Sequence, residues 1–221
     1  MRTIAVIARK GGSGKTTVAV HMAIAAHLRG YRTLLADSDP QRSSSTVLRG
    51  RTRRGPAVTE TSGPELFGVQ AGAVRADIDA CVIDTAAGAE DELAHAIVLA
   101  DLSLLVIRPT FLDFAAAIRT VEVLRRLRRP GVIVLNQAPV SRAGAEPPLV
   151  KKAHEALRLM RLPVASTILR ARTAYQSALE TGASAEETQP GSVAAQEVAE
   201  LWAYVARLSF GVPVLAAQRR A

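Results

Sequence analysis

The sequence predicts an α/β protein with a three-layer, doubly wound and mostly parallel sheet that is covered by helices on both faces. Two observations carry this prediction. Short apolar runs, continuous as in parallel strands buried on both faces, alternate along the chain with segments of helical periodicity. A glycine-rich loop at residues 10–17 separates the first apolar run from the first helical segment. The order strand, glycine loop, helix is typical of a phosphate-binding site.

The first half of the chain alternates strands and helices as this fold class requires. The helix after the glycine loop is apolar on most of its circumference and ends before Gly30, a suitable residue beyond a helix C-terminus. The predicted strands of this half cover residues 3–8, 32–37 and 57–60, and the predicted helices cover residues 16–29 and 63–73.

The second half continues the alternation. Arginines gather in the last turns of the helix predicted at residues 114–128, where they complement the helix dipole. Residues 138–148 are predicted to form a loop because they are rich in Pro, Gly and Ser. The predicted strands here cover residues 80–85, 102–107, 131–136 and 164–168, and the predicted helices cover residues 90–99, 114–128, 149–160, 174–180 and 192–208.

The composition indicates one domain that spans residues 1–221. A chain of 221 residues can bury one substantial core and is short for two domains. Apolar runs stay below the roughly 18 residues of a membrane span. Arg9 and Lys10 interrupt the apolar start, so we expect no signal peptide and a cytoplasmic location. The single cysteine, Cys81, agrees with that compartment.

The chain is strongly basic. Lysine and arginine total 28 against 20 acidic residues, and the net charge of +8 favours a polyanionic partner such as nucleic acid or an anionic membrane surface. Arginine dominates the excess, so a compositional bias is the alternative explanation. The basic segment at residues 43–55 is predicted to be either a solvated, mobile loop or a contact surface.

The glycine loop has the residues that a phosphate site needs. Gly11, Gly12 and Gly14 allow the backbone N–H groups around Ser13 to curl closely around an anion. Lys15 and Thr16 then open the helix, whose positive end favours a phosphate. The Lys15 ammonium can reach the outer phosphates and the Thr16 hydroxyl can ligate Mg²⁺.

The loop departs from the pattern G-x-x-x-x-G-K-[ST], because Arg9 occupies the place of the first glycine. It carries an additional lysine, Lys10, at its head. Lysine is rare in this chain, and two of its four lysines, Lys10 and Lys15, lie in this loop. A compact positive charge is therefore favoured at both places over the planar fork of arginine.

Three aspartates follow buried strands at the edge where doubly wound sheets bind their ligands. Asp84 ends an apolar strand and is predicted to hold Mg²⁺, with a turn-capping role as the alternative. Asp37 and Asp39 alternate along the chain, so their side chains point to the same side. We expect one to assist the metal shell and the other to polarise water, with a helix N-cap at Asp39 as the alternative.

These segments together resemble the ParA/MinD family of deviant Walker A ATPases, most closely the small ParA partition ATPases. Residues 10–17 resemble the deviant Walker A segment, residues 37–41 the Walker A′ segment and residues 82–88 the Walker B segment. The likeness extends over essentially the whole chain. In the Walker B segment, Ala86 and Ala87 replace the prolines that are common in the family, which puts the coupling of this switch in doubt.

The resemblance implies a P-loop fold and a role for each matching residue. Lys10 is expected to reach the phosphates of a partner subunit in an ATP-sandwiched homodimer, and Asp39 to position the attacking water. Asn136 is expected to hydrogen-bond adenine. The other expected ligands of ATP are Gly11, Gly12, Ser13, Gly14, Lys15, Thr16 and Thr17, and those of Mg²⁺ are Thr16, Asp37 and Asp84.

The resemblance also suggests partners. Arg170 and Arg172 lie where related proteins carry basic residues for non-specific DNA binding, and a ParB-like or other centromere-binding adaptor is the expected stimulating partner. Because the loop starts at residue 10, we expect no helix-turn-helix domain ahead of it. Pro213 interrupts the apolar run at residues 210–221, so a membrane-targeting helix is not expected there. The location expected is cytoplasmic and nucleoid-associated.

The leading functional hypothesis is a slow, Mg²⁺-dependent ATPase that dimerises around ATP, binds DNA and segregates a plasmid or chromosome when a partner stimulates hydrolysis. The second hypothesis keeps the ATPase but assigns another cargo, such as chemoreceptors, a microcompartment or the division machinery. The third is a metabolic P-loop enzyme of the dethiobiotin synthetase type, which would have no use for Lys10.

Overall fold

The structure is a computed structural model that describes residues 1–88, 90–141 and 145–211. Its sheet has six parallel strands in the order β3-β2-β4-β1-β5-β6, which confirms the predicted fold class. The central strand, β1, leads into the glycine loop. The strands are β1 (Arg2–Ile7), β2 (Thr33–Asp37), β3 (Ala57–Glu60), β4 (Ala80–Asp84), β5 (Leu102–Ile107) and β6 (Gly131–Leu135).

Helices cover both faces of the sheet. The helices are α1 (Lys15–Leu28), α2 (Ser43–Arg49), α3 (Leu66–Arg75), α4 (Glu90–Leu99), α5 (Phe111–Arg126), α6 (Pro148–Leu159), α7 (Thr173–Glu180), α8 (Ala185–Thr188) and α9 (Val193–Phe210). One core lies between the sheet and α1, α7 and α9, and it includes the buried Trp202. The other lies between the sheet and α3 to α6. Burial on both faces explains why the strands are continuously apolar.

The register of the central strands positions the site. Asp37 at the end of β2 lies opposite Asp84 at the end of β4. Val6, in β1, also lies opposite Asp84. Since all these strands are parallel, their carboxyl ends meet at one edge of the sheet, and the glycine loop starts from the same edge.

Two secondary-structure predictions need correction. Residues 43–55 are not a loop throughout, because α2 occupies the first half of this segment. An external carboxylate stabilises the start of α2: Asp37 Oδ2 accepts from the Ser45 amide at 2.9 Å. Residues 164–168 do not form a regular strand. The chain there follows β6 through the single bridge of Val164 with Ile133, and the preceding Pro163 has no amide to donate to a ladder.

The short helix α8 was absent from the sequence-based prediction. Its N-terminus is a capping box, in which Ser184 and Glu187 each accept from the other's backbone amide. The pattern Ser-x-x-Glu was readable at residues 184–187, but the helix is only four residues long, too short to show an apolar period.

None of the described helices combines the length and apolar character that crossing a membrane requires. The prediction about residues 210–221 falls almost entirely outside the described residues, which end at Gly211.

The basic segment also supplies a buried ion pair. The side chain of Arg51 is 4% exposed, and its Nη2 lies 2.6 Å from Glu187 Oε1. Its Nη1 donates to Glu187 Oε2 at 2.8 Å and to the Gly182 carbonyl at 2.9 Å. Arg51 therefore joins the end of α2 to α8, and it is a structural residue within a segment that was predicted to be either a solvated loop or a contact surface.

We predict that Arg51→Ala lowers the free energy of unfolding by about 3–5 kcal/mol, because Glu187 would be left buried without its counter-charge. Urea denaturation followed by circular dichroism measures this change. The exposed neighbour Arg54 provides the control, and Arg54→Ala should change stability by less than about 0.5 kcal/mol. Equal effects of the two variants would contradict the structural role of Arg51.

Candidate nucleotide site

The glycine loop has the tight curvature that its sequence predicts. Gly12 and Gly14 have φ of 75° and 86°, in the left-handed region that favours glycine. At Gly14 a Cβ atom would also come within 2.3 Å of Asn136 Nδ2. A side chain at residue 14 would therefore both strain the backbone and displace Asn136.

Two side chains that directly follow β6 hold the glycine loop in place. Asn136 Nδ2 donates to the Ser13 carbonyl at 2.8 Å, and Gln137 Nε2 donates to the Gly12 carbonyl at 3.0 Å. Asn136 is buried. In this geometry the Asn136 amide holds the shape of the loop, and its expected contact with adenine stays a prediction. Gln137, which sequence reasoning had not assigned a role, follows Asn136 directly at a strand end, and that position was the available signal.

The helix α1 presents its N-terminus to the loop. Its first intrahelical bond runs from the Val18 amide to the Gly14 carbonyl at 3.0 Å, so the amides before Val18 are open to an anion. Lys15 is buried at the first helical position. Burial lowers the pKa of Lys15, while Asp84 and Asp39 act in the opposite direction. A buried ammonium beside two carboxylates is well placed to take phosphate charge.

Asp84 is fully buried, and neither of its carboxylate oxygens has a hydrogen-bond partner among the described residues. Burial raises its pKa to about 7, and the charge of Asp37 adds to this rise. The hydroxyls of Thr16 and Ser44 and the ammonium of Lys15 favour the ionised form. A buried carboxylate with open oxygens is the feature that a cation would complete.

Asp37 and Asp39 differ in what their oxygens already bind. The Asp37 side chain accepts from the Asp39 amide at 3.1 Å as well as from the Ser45 amide. The Asp39 side chain accepts from the Gln41 amide at 2.9 Å and lines the cleft beside the loop. The capping role that was considered for Asp39 is therefore carried by Asp37. The predicted metal role of Asp37 and catalytic role of Asp39 stay predictions.

Lys10 lies at the head of the loop and reaches α5. Its Nζ is 3.5 Å from Asp113 Oδ2, and the Lys10 side chain is 37% exposed while that of Asp113 is 1% exposed. Arg108 binds the same carboxylate through Nε at 3.0 Å and Nη2 at 3.1 Å, and Thr110 donates to it at 2.6 Å. Asp113 would therefore remain paired if Lys10 moved away.

The predicted DNA-binding arginines are engaged within the protein. Arg170 pairs with Glu146 at 2.7 Å, and Arg172 pairs with Glu197 at 2.7 Å. Glu197 also accepts from the hydroxyl of Tyr175 at 2.5 Å. The bonds to Glu197 join α7 and the segment before it to α9, and the bond to Glu146 joins that segment to the residues before α6. The role of Arg170 and Arg172 in DNA binding stays a prediction, but their charges are largely compensated in this structure.

A cleft of about 530 Å³ lies beside the glycine loop and the start of α1. Among the described residues, no group of three or more His, Cys, Asp or Glu side chains is placed to hold a metal. Mg²⁺ fits this donor set, because it commonly binds through one or two carboxylates, waters and substrate phosphates. The open oxygens of Asp84 and the Thr16 hydroxyl suit such an ion. The residues that line the cleft are Gly11, Gly12, Gly14, Lys15, Thr16, Asp39, Pro40, Gln41, Ala86 and Ala87.

A parallel sheet, a glycine loop from its central strand and a helix N-terminus behind that loop define a P-loop nucleotide-binding protein. Residues 4–185 match the family described as "CobQ/CobB/MinD/ParA nucleotide binding domain". The chain belongs to this family, which includes the MinD and ParA ATPases. The resemblance found in the sequence is thereby confirmed.

Individual relatives agree with this placement. The chain is 32% identical over 187 residues to maintenance of carboxysome distribution protein A from Gloeobacter kilaueensis, with 83% of each chain covered. It is 47% identical over 55 residues to chromosome partitioning protein ParA from Caulobacter vibrioides, but that match covers only 24% of this chain and 21% of the relative.

The fold is similar to that of the cell division ATPase MinD from Pyrococcus furiosus. The TM-score is 0.77 at 21% sequence identity, and the match covers 94% of this chain and 99% of MinD.

We predict that Asp84→Asn stabilises the nucleotide-free protein at pH 8 by about 2–4 kcal/mol, because it removes a buried charge. The raised pKa means that the folded protein binds the proton more tightly than the unfolded chain does. The stabilisation that protonated Asp84 gives to the wild-type protein is therefore fully present below pH 3.8, and it is lost as the pH rises to about 7. Denaturation of both proteins at pH 4 and pH 8 measures it, and the difference should be confined to the higher pH.

Asp77→Asn is the matched control, since its carboxylate is 79% exposed and asparagine tolerates the positive φ of that residue. It should change stability little at either pH. A destabilised Asp84→Asn protein at pH 8 would contradict the description of Asp84 as a carboxylate whose ionised form is disfavoured by burial.

Proposed function

We propose that this protein is an ATPase switch that forms an ATP-sandwiched homodimer, binds DNA non-specifically in that state and drives the segregation of a plasmid or chromosome. Partner-stimulated hydrolysis ends the cycle. The observation that carries the proposal is Lys10, a second lysine at the head of a nucleotide loop that Lys15 already serves. Its side chain is 37% exposed at the head of the loop, and we propose that it reaches a second subunit from there.

Each residue has a defined task in this proposal. Lys15 and the open amides of α1 bind the phosphates, and Asp39 orients water for attack on the γ-phosphorus. The new bond forms from the water oxygen, the bond to the β,γ-bridging oxygen breaks, and ADP leaves with phosphate. Thr16, Asp84 and Asp37 would hold Mg²⁺, which would neutralise charge on the phosphates. We expect the basal rate of hydrolysis to be slow, because each site would need Lys10 of the partner subunit.

The net charge supports a polyanionic partner, and the proposed partition function requires a protein adaptor. The net charge of +8 favours DNA as the surface on which the dimer is retained. A ParB-like or other centromere-binding adaptor is the proposed stimulating partner in the partition function. Retention on DNA would make the protein nucleoid-associated in a cytoplasmic location.

A second candidate function is the positioning of another cargo. It is favoured by the carboxysome distribution relative, since that alignment covers most of both chains whereas the match to ParA is confined to a short segment. The ATPase cycle is the same in both candidates, and the adaptor differs. Pull-down of the ATP-bound dimer from the source cells, followed by mass spectrometry, separates a centromere-binding adaptor from one attached to a protein assembly.

We predict that Lys10→Ala binds Mg²⁺-ATP but no longer doubles in mass when ATP is added. Lys15→Ala should instead weaken nucleotide binding by about 2–3 kcal/mol, since it removes charge-assisted bonds within the same subunit. Light scattering after size exclusion measures the mass, and titration calorimetry measures the binding.

Lys152→Ala is the control for lost lysine charge, because this exposed side chain lies on α6 away from the loop. It should dimerise as the wild type does. If Lys10→Ala still forms the ATP-dependent dimer and hydrolyses ATP at the wild-type rate, the proposed role of Lys10 is wrong.

A further inference from the structure

Exposed arginines gather at the edge of the sheet opposite the nucleotide cleft, where α5 and α6 end. The Arg125 Nη2 donates to the Met160 carbonyl at 2.5 Å, which brings the two helix ends together. After α5 the chain enters the amino end of β6, and after α6 it enters the segment at Val164 that pairs with β6. We call these residues the distal arginine surface: Arg125, Arg128, Arg129, Arg158 and Arg161.

The charges of this surface are uncompensated. Among residues 1–88, 90–141 and 145–211, no carboxylate forms an ion pair with any of these five arginines. The acidic residues nearest to them along α5 and α6, Glu122 and Glu155, make no such pair. Arg51, Arg170 and Arg172 are all paired instead. These five arginines therefore form a cluster of positive charge at one edge of the sheet.

Helix dipoles explain only part of this arrangement. Each helix C-terminus carries roughly half a negative charge, so α5 and α6 together offset about one of the five positive charges. The remainder faces solvent as arginine, whose guanidinium forms bidentate bonds with phosphate and is always charged. Phosphate is thus the ligand that this surface is best suited to bind.

We infer that the distal arginine surface binds the phosphate backbone of double-stranded DNA without reading its sequence. This inference rests on the proposed function and assigns its DNA contact to residues other than Arg170 and Arg172. An ATP-dependent dimer would carry two such surfaces. In a dimer that meets at its nucleotide clefts, these surfaces would lie about 20 Å beyond each cleft and face apart, so they would bind separate DNA segments. Linking two weak sites in this way raises retention on densely packed DNA through effective concentration, which would make retention depend on ATP.

An anionic membrane is the other surface rich in phosphate, and Leu159 allows a test against it. This side chain is 83% exposed between Arg158 and Arg161. Membrane binding would bury an apolar group at this place, whereas contacts to a phosphate backbone do not require one.

The decisive experiment measures binding to a fluorescent 40-base-pair duplex of random sequence, with Mg²⁺ and a non-hydrolysable ATP analogue, over a series of salt concentrations. The test variant combines Arg128→Gln, Arg129→Gln and Arg158→Gln. We expect its affinity to fall about tenfold or more at low salt, and the slope of log K against log salt to decrease by about one per arginine that contacts phosphate. ATP-induced dimer formation should be unchanged, which shows that the variant is folded.

The control variant combines Arg53→Gln, Arg54→Gln and Arg75→Gln, which removes the same charge from exposed positions elsewhere. It should keep most of the affinity and the salt slope, and Leu159→Ser should bind DNA as the wild type does. Equal losses in the test and control variants would overturn the assignment, since only total charge would then matter. Wild-type affinity in the test variant would also overturn it and leave the proposed function intact.

Two further outcomes separate the inference from its premise. A wild-type protein that dimerises with ATP but binds no DNA would refute both the DNA part of the proposed function and this surface. Binding to phosphatidylglycerol vesicles that is lost in the test variant and in Leu159→Ser, without DNA binding, would identify a membrane surface and overturn the inference.

Discussion

The parallel register of β1, β2 and β4 is the constraint on which the site depends. It places Asp37 and Asp84 opposite one another at the edge from which the glycine loop starts. Asp37 is used to build the fold, because both of its oxygens accept from backbone amides, whereas neither oxygen of Asp84 accepts a hydrogen bond within the part of the chain that the structure describes. The core thus holds one carboxylate in a state that favours the approach of a cation.

The loop shows a similar division between structure and function. Asn136 and Gln137 donate hydrogen bonds to two carbonyl groups of the loop, so its amides face the cleft. Lys15 is buried, but Lys10 at the head of the loop is partly exposed and shares Asp113 with Arg108. Because Arg108 keeps Asp113 paired, the transfer of Lys10 to another anion does not strand a buried charge. This is the physical basis for regarding Lys10 as the movable part of the switch.

Most of the fold was predictable from the sequence, since buried parallel strands give continuous apolar runs and the loop motif fixes the central strand. Candidate site residues could also be chosen from the sequence, because they lie in the glycine loop, at the start of the helix after it or near strand ends, and their roles stay predictions. The contacts were not. That Asp37 caps α2, that Asn136 supports the loop, and that Arg51, Arg170 and Arg172 lie in ion pairs all depend on residues distant in sequence. Charge alone could not separate these paired arginines from those left exposed.

The central claim is that each nucleotide site is completed by Lys10 of a second copy of the chain. Mixing two inactive variants, Lys10→Ala and Asp39→Ala, tests it most directly through the rate of ATP hydrolysis. In a mixed dimer, one site would combine an intact Asp39 with Lys10 from the other subunit. We expect the mixture to regain ATP hydrolysis that neither variant shows alone. A mixture as inactive as its components, although mixed dimers form, would contradict it.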